Sequence, residues 1–290
     1  MRLHESFARG LWLAAPMIAL LFGILAAPPA DAVQQDGSVV ALAFDTGTST
    51  LLKAYARALY RSVDGGKHWQ SIELPASADG QVSGLAVSPV SKGVVYVAGS
   101  GLGVLRTEDG GKIWVERNEG LPSRNVIAVA AHTTQPDTVY VAVKEHGFYR
   151  SQDAGKSWRL MERKSQDGLR QLIHSDMAGS MQTGWLFAAT SKGIRRTMDC
   201  FCLWQDAGKL GTEAHAVTYD PGHPDHFYVV TERGLFRSRD GGENWIQMMS
   251  PSSKAVALAF APSNILYAID GKGVLFRSAD DGGSWIRVDA

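Results

Sequence analysis

The sequence predicts an all-β protein, a six-bladed β-propeller built from four-stranded antiparallel blades. Three observations predict it. One octet recurs six times, at intervals of 45, 44, 46, 41 and 40 residues. Six of the eight tryptophans occupy the last place of that octet. Between octets run short apolar stretches broken by glycine or proline, the pattern of strands joined by tight turns. A repeat of this length with four strands in each copy is the signature of blades closing into a ring. Glycine, at 31 of 290 residues, suits a chain of many tight turns.

Five octets are intact. They place Ser62, Asp64, Gly66 and Trp69; Thr107, Asp109, Gly111 and Trp114; Ser151, Asp153, Gly155 and Trp158; Ser238, Asp240, Gly242 and Trp245; and Ser278, Asp280, Gly282 and Trp285. The fourth copy in chain order is degenerate. It keeps Thr197, Asp199 and Trp204 but has Cys200, Phe201 and Cys202 where the glycines stand elsewhere. The hydroxyl and carboxylate can bond backbone N–H groups across a tight turn. The glycine two places after the aspartate supplies positive φ. The tryptophan buries a broad face between sheets. The octet therefore joins the third and fourth strands of a blade and is expected to pin that hairpin to the next repeat.

The flanks repeat as well. An arginine precedes each octet (Arg61, Arg106, Arg150, Arg196, Arg237, Arg277), and about ten residues before it stands an aromatic, Tyr96, Tyr140, Phe187, Tyr228 or Tyr267. Upstream lies a small-apolar alternation, as in 39–44 and 255–260. These segments set six blades at about 38–74, 82–118, 125–162, 169–208, 213–249 and 254–288, within a propeller domain of 33–290. Each blade contains its own four strands, so no swapped closing strand is expected.

The octet resembles the Asp box, Ser/Thr-x-Asp-x-Gly-x-x-Trp, of bacterial neuraminidase-type repeats. The resemblance covers roughly residues 38–288. Asp boxes occur in sialidases, in sortilin-type receptors and in the photosystem II stability/assembly-factor family. The resemblance implies that the box residues are structural and lie on the blade rim, without a catalytic role. It is closest to the assembly-factor-like exported proteins, in which the propeller binds partner proteins during assembly of a membrane complex. The sialidase signature Phe/Tyr-Arg-Ile-Pro is absent, and no unique tyrosine–glutamate pair stands apart from the repeats.

Composition narrows the partners. Basic and acidic residues number 29 each, which argues against gripping nucleic acid or acidic membrane by bulk charge. Residues 1–32 read as a secretory signal peptide: Arg2 and Arg9, an apolar run from Leu11 to Ala27, then Ala30-Asp31-Ala32 as a cleavage site. An uncleaved anchor is the rival reading. No later stretch is apolar enough to span a bilayer. The expectation is a periplasmic or secreted protein without a membrane span after cleavage.

Three constellations stand out as candidate sites. Arg57, His146, Lys192, Arg233 and Lys272 fall in the turns between second and third strands, where a ring could focus positive potential over the channel mouth; Glu145, Glu232 and Asp270 would partly neutralise it. Cys200 and Cys202 are a candidate disulfide, two free thiols, or, with Met198, a soft-metal site. Asp220, His223 and His226 could be sketched as a metal site, but the equivalent places in other blades make this the ordinary turn between first and second strands. The box arginines are expected to pack structurally, with guanidinium groups near the tryptophans. The resulting reading is a non-catalytic, protein-binding scaffold needing no cofactor, with a protein partner in a membrane or envelope complex. A sialidase-like glycosidase or glycan-binding lectin is one alternative, and a copper or thiol-redox role at Cys200 and Cys202 is the other.

Overall fold

Apolar runs give inner strands that are largely buried, shorter segments give less buried outermost strands of two to four residues, and the computed structural model has 24 strands among its described residues. It describes residues 37–76, 79–251 and 255–288. The signal-peptide reading of residues 1–32 lies outside the described residues. The strands form six four-stranded antiparallel sheets, each made of four strands consecutive in the chain. The result is a six-bladed propeller, and among the described residues there is no helix.

The innermost strands are Val39–Asp45, Gln81–Val87, Val126–Ala131, Gln171–Ser175, Ala214–Asp220 and Ala255–Ala261. Each packs beside the innermost strand of its neighbours, and the first meets the last. Ring closure uses no exchanged strand. Val39 N donates to Gly271 O at 3.2 Å, and Leu42, Leu51 and Tyr55 share an apolar cluster with Ala259, Tyr267 and Leu275. The repeated aromatics Tyr96, Tyr140, Phe187 and Tyr228 are fully buried on second strands. Burying these rings between sheets stabilises the interfaces they fill.

The octets form the turns between third and fourth strands, and five share one set of bonds. In the blade-three copy, Ser151 Oγ donates to Asp153 Oδ1 (2.7 Å), Gly155 N donates to Ser151 Oγ (2.8 Å), and Ser157 N donates to Asp153 Oδ1 (2.9 Å). The glycine two places after the octet aspartate holds φ between 83° and 98° in these five copies.

The structure corrects the direction in which the octet is pinned. Trp158, Trp245 and Trp285 donate Nε1–H to the carbonyls of Arg117, Ala207 and Met249, 2.8–3.0 Å away, each in the preceding blade. A Cβ on Gly111 would lie 2.6 Å from Ile72, again one blade back. The reason is geometric: this turn leans over the outermost strand of the blade before it. Of the arginines preceding the octets, Arg196 packs near a tryptophan as expected, though one on its own second strand rather than in an octet. Arg106 and Arg196 stack over Tyr96 and Trp185 of their own second strands. Arg196 bonds Glu243 and Gly241 O, and Arg237 bonds Asp281 (2.6 Å), all in the following blade. Trp158, Trp245 and Trp285 reach back, and Arg196 and Arg237 reach forward.

Candidate functional site: the channel mouth and blade four

Antiparallel order puts the octet turns and the first-to-second-strand turns on one face of the ring. The second-to-third-strand turns lie on the other. Five innermost strands carry a β-bulge near their start, at Val40, Ser83, Ile127, His215 and Val256. Bulges at a barrel or ring mouth re-aim side chains, and these five line a mouth cavity of about 490 Å³ with Arg170 and Gln171. The opposite end narrows to about 150 Å³, between Phe44, Tyr219 and Phe260. Among the described residues lining either end, none is Asp or Glu.

The wide mouth is surrounded by the turns singled out for positive charge. Arg57, His146, Lys192, Arg233 and Lys272 are all exposed there, while Leu102 fills the equivalent place in blade two and is buried. Charge is partly compensated: Lys192 pairs with Asp167 at 2.8 Å, and Arg170 at the lip pairs with Glu213. Asp270 accepts from Lys272 N and Val274 N and caps its own turn. Both pairs are open to solvent, so each contributes little to stability.

Blade four departs from the repeat. Cys200 and Cys202 are joined in a disulfide, with Cα atoms 5.3 Å apart. Their sulfurs are therefore bonded to each other rather than offered as thiolates, and Met198 Sδ accepts from Met181 N at 3.5 Å. Phe201 takes positive φ (59°) in place of glycine, and its ring packs against Tyr140, Phe148 and Trp204. Asp199, 1 % exposed, is released from turn duty. It accepts from the Thr183 hydroxyl instead, and Thr197 Oγ1 finds no partner.

This redirected carboxylate meets His132 and His174, a grouping that sequence reading missed because the three residues come from different strands and turns of blades three and four. The imidazoles stack at 3.9 Å and are buried. Burial and the neighbouring His132 push His174 down to about 3, and burial also lowers His132. Both rings are neutral near pH 7. His132 Nδ1 accepts from Thr134 N and Gln135 N, each at 3.1 Å, so its proton is on Nε2, which donates to Thr183 Oγ1 at 2.8 Å. A metal at Nε2 would need the lone pair that this tautomer denies it. The donor set does not fit a metal ion. It fits a buried hydrogen-bonded chain, His132 to Thr183 to Asp199, that ties blade three to blade four.

Asp220, His223 and His226 do come together in blade five. His223 Nδ1 lies 2.7 Å from Asp220 Oδ2, and the two rings stack at 4.7 Å. Gly222 N also bonds Asp220, as expected of an ordinary turn between first and second strands.

The model of the family described as photosynthesis system II assembly factor YCF48 matches residues 30–189, more than half of the chain. Among curated proteins there is no match. Among solved structures, the fold is similar to a Niastella koreensis GH74 enzyme (TM-score 0.60, 18% identity, 86% of this chain), but the chain spans only 46% of that enzyme's length. It is also similar to YCF48 bound to D1 peptide (TM-score 0.57, 20% identity, 87% of this chain and 82% of that one). YCF48 from Cyanidioschyzon merolae aligns with TM-score 0.55 and 18% identity, over 87% and 85% of the two chains.

Proposed function

The chain belongs to the photosynthesis system II assembly factor YCF48 family, and from that membership we propose that it is a non-catalytic scaffold that binds a protein partner during assembly of a membrane or envelope complex. Family membership is the observation that carries this reading. A YCF48 similar to this chain along most of its length has been solved with a D1 peptide, which supports a polypeptide as the partner class. The wide mouth, ringed by Arg57, His146, Lys192, Arg233 and Lys272, is the docking face in this proposal. Rigid blades hold these turns, so binding costs little ordering of the scaffold.

Glycosidase activity is not favoured. Glycoside hydrolysis generally uses two carboxylates flanking the scissile bond, and the described channel lining offers none. Likeness to the GH74 enzyme extends to less than half of that enzyme. Export is also part of the proposal, with cleavage after residue 32; N-terminal sequencing of protein from the native host should begin at Val33.

The test is purification of C-terminally tagged protein from its native host after light crosslinking. Recovery of one stoichiometric partner from a membrane complex supports the reading. A partnerless monomer contradicts it, and hydrolysis of xyloglucan or a fluorogenic sialoside by the pure protein would replace it.

A further inference from the structure

We propose that the Cys200–Cys202 disulfide is a thiol–disulfide exchange site, reduced by a dithiol while the propeller stays folded. Four observations lead there. In five blades the octet turn is held by hydroxyl, carboxylate and backbone bonds, whereas in blade four Thr197 Oγ1 is unpartnered and Asp199 faces the blade interface. The disulfide stands in place of those bonds, so this turn alone is clamped by a linkage that chemistry can open. Cys202 is exposed and Cys200 half-buried, which distinguishes the sulfur open to attack from the leaving one.

Cys202 also lines a cavity of about 330 Å³ between blades three and four, with Glu162, Lys164, Asp167, Lys192, Arg195 and Trp204. Lys192 is paired with Asp167 and Arg195 with Asp206, so the charge here is largely compensated, and what the cavity supplies is access to Cys202. Beside it Leu203 is 73% exposed, an apolar contact for a bound polypeptide. Finally, Phe201 holds positive φ, a conformation that costs a bulky residue energy. Its buried ring anchors the turn after the bond opens, and the backbone is then free to relax.

The exchange balances as a two-electron transfer. One thiolate of the dithiol attacks Cys202 Sγ, the S–S bond breaks, and its electron pair leaves on Cys200 Sγ, which takes up a proton. The second thiolate of the dithiol then attacks its own sulfur in the mixed disulfide. Cys202 leaves as thiolate and is protonated; the dithiol ends as a disulfide and the chain as two thiols.

The experiment needs no variant at first. Native, tag-free protein is incubated with millimolar dithiothreitol, then alkylated and weighed, with circular dichroism followed in parallel. The expected result is addition at both cysteines with an unchanged folded spectrum. Resistance to reduction until the protein unfolds overturns the proposal. Single variants then test the direction of attack. Oxidised glutathione should form an adduct with Cys202 in Cys200→Ser at least about tenfold faster than with Cys200 in Cys202→Ser, given their difference in access. Equal or reversed rates overturn the assignment of Cys202 as the attacked sulfur.

Discussion

Trp158 donates its indole N–H to the main-chain carbonyl of Arg117, 2.9 Å away and one blade back. The same relation joins Trp245 to Ala207 and Trp285 to Met249. In these three copies the octet does two things: its hydroxyl and carboxylate close its own turn, and its tryptophan fastens that turn to the preceding blade. Replacing Trp158 by Phe removes the bond and leaves the carbonyl to water. The expected cost is about 1–2 kcal/mol, read as a lower denaturant midpoint with an unchanged slope. Trp285, whose bond is solvent-exposed, should lose less on the same substitution.

Neighbouring glycines separate strain from collision. A Cβ at Gly110 meets nothing within 4 Å, so Gly110→Ala bears only the left-handed backbone (φ 72°), about 1 kcal/mol. A Cβ at Gly111 would stand 2.6 Å from Ile72 Cγ2 at φ 97°. Gly111→Ala should therefore destabilise by about 2–4 kcal/mol. Thermal unfolding of the two variants side by side checks the difference.

Octet carboxylates set an acid limit. Hydrogen bonds from Ser157 hold Asp153 at about 2, and those from Ser284 hold Asp280 at about 2, against an ordinary 3.8. The folded state therefore binds protons less readily than the unfolded state. The stability these groups contribute is complete above 3.8 and is lost as pH falls through about 2. Asp153→Asn should flatten the fall in melting temperature over that window, measured by a pH series of thermal scans.

Charge reversal separates docking from folding. Lys192 and Arg233 are exposed, and the Lys192–Asp167 pair is open to solvent. Lys192→Glu with Arg233→Glu should change stability by less than about 1 kcal/mol. Binding of the co-purified partner should weaken at least about tenfold, more steeply at low salt. Unchanged affinity removes the wide mouth from the interface.

Much of the fold was legible because the octet is a local device. Ser151, Asp153 and Gly155 bond within five residues, so their spacing carries the turn, and the tryptophan at the eighth place marks where it is buried. What was not legible is tertiary. Nothing in the spacing says that Trp158 leans on the preceding blade, or that Arg237 reaches Asp281 in the following one. Asp199 could be seen to sit in a broken octet, but its turn toward Thr183 and His132 depends on a blade interface. The exposed turn residues from Arg57 to Lys272 could be placed in the sequence, since second-to-third-strand turns are set by the repeat. The bulges that shape the cavity beside them leave no mark at Val40 or His215, because a bulge shows only in the pairing with the second strand.

The central claim, that a partner docks on the face with the wide mouth, is tested most directly by mapping lysine crosslinks in the captured complex. Lys192 and Lys272 stand on that face, and Lys67, Lys112 and Lys156 stand in octets on the other, all exposed. The account predicts partner crosslinks at Lys192 and Lys272. Crosslinks confined to Lys67, Lys112 and Lys156 would contradict it and move the interface to the octet face.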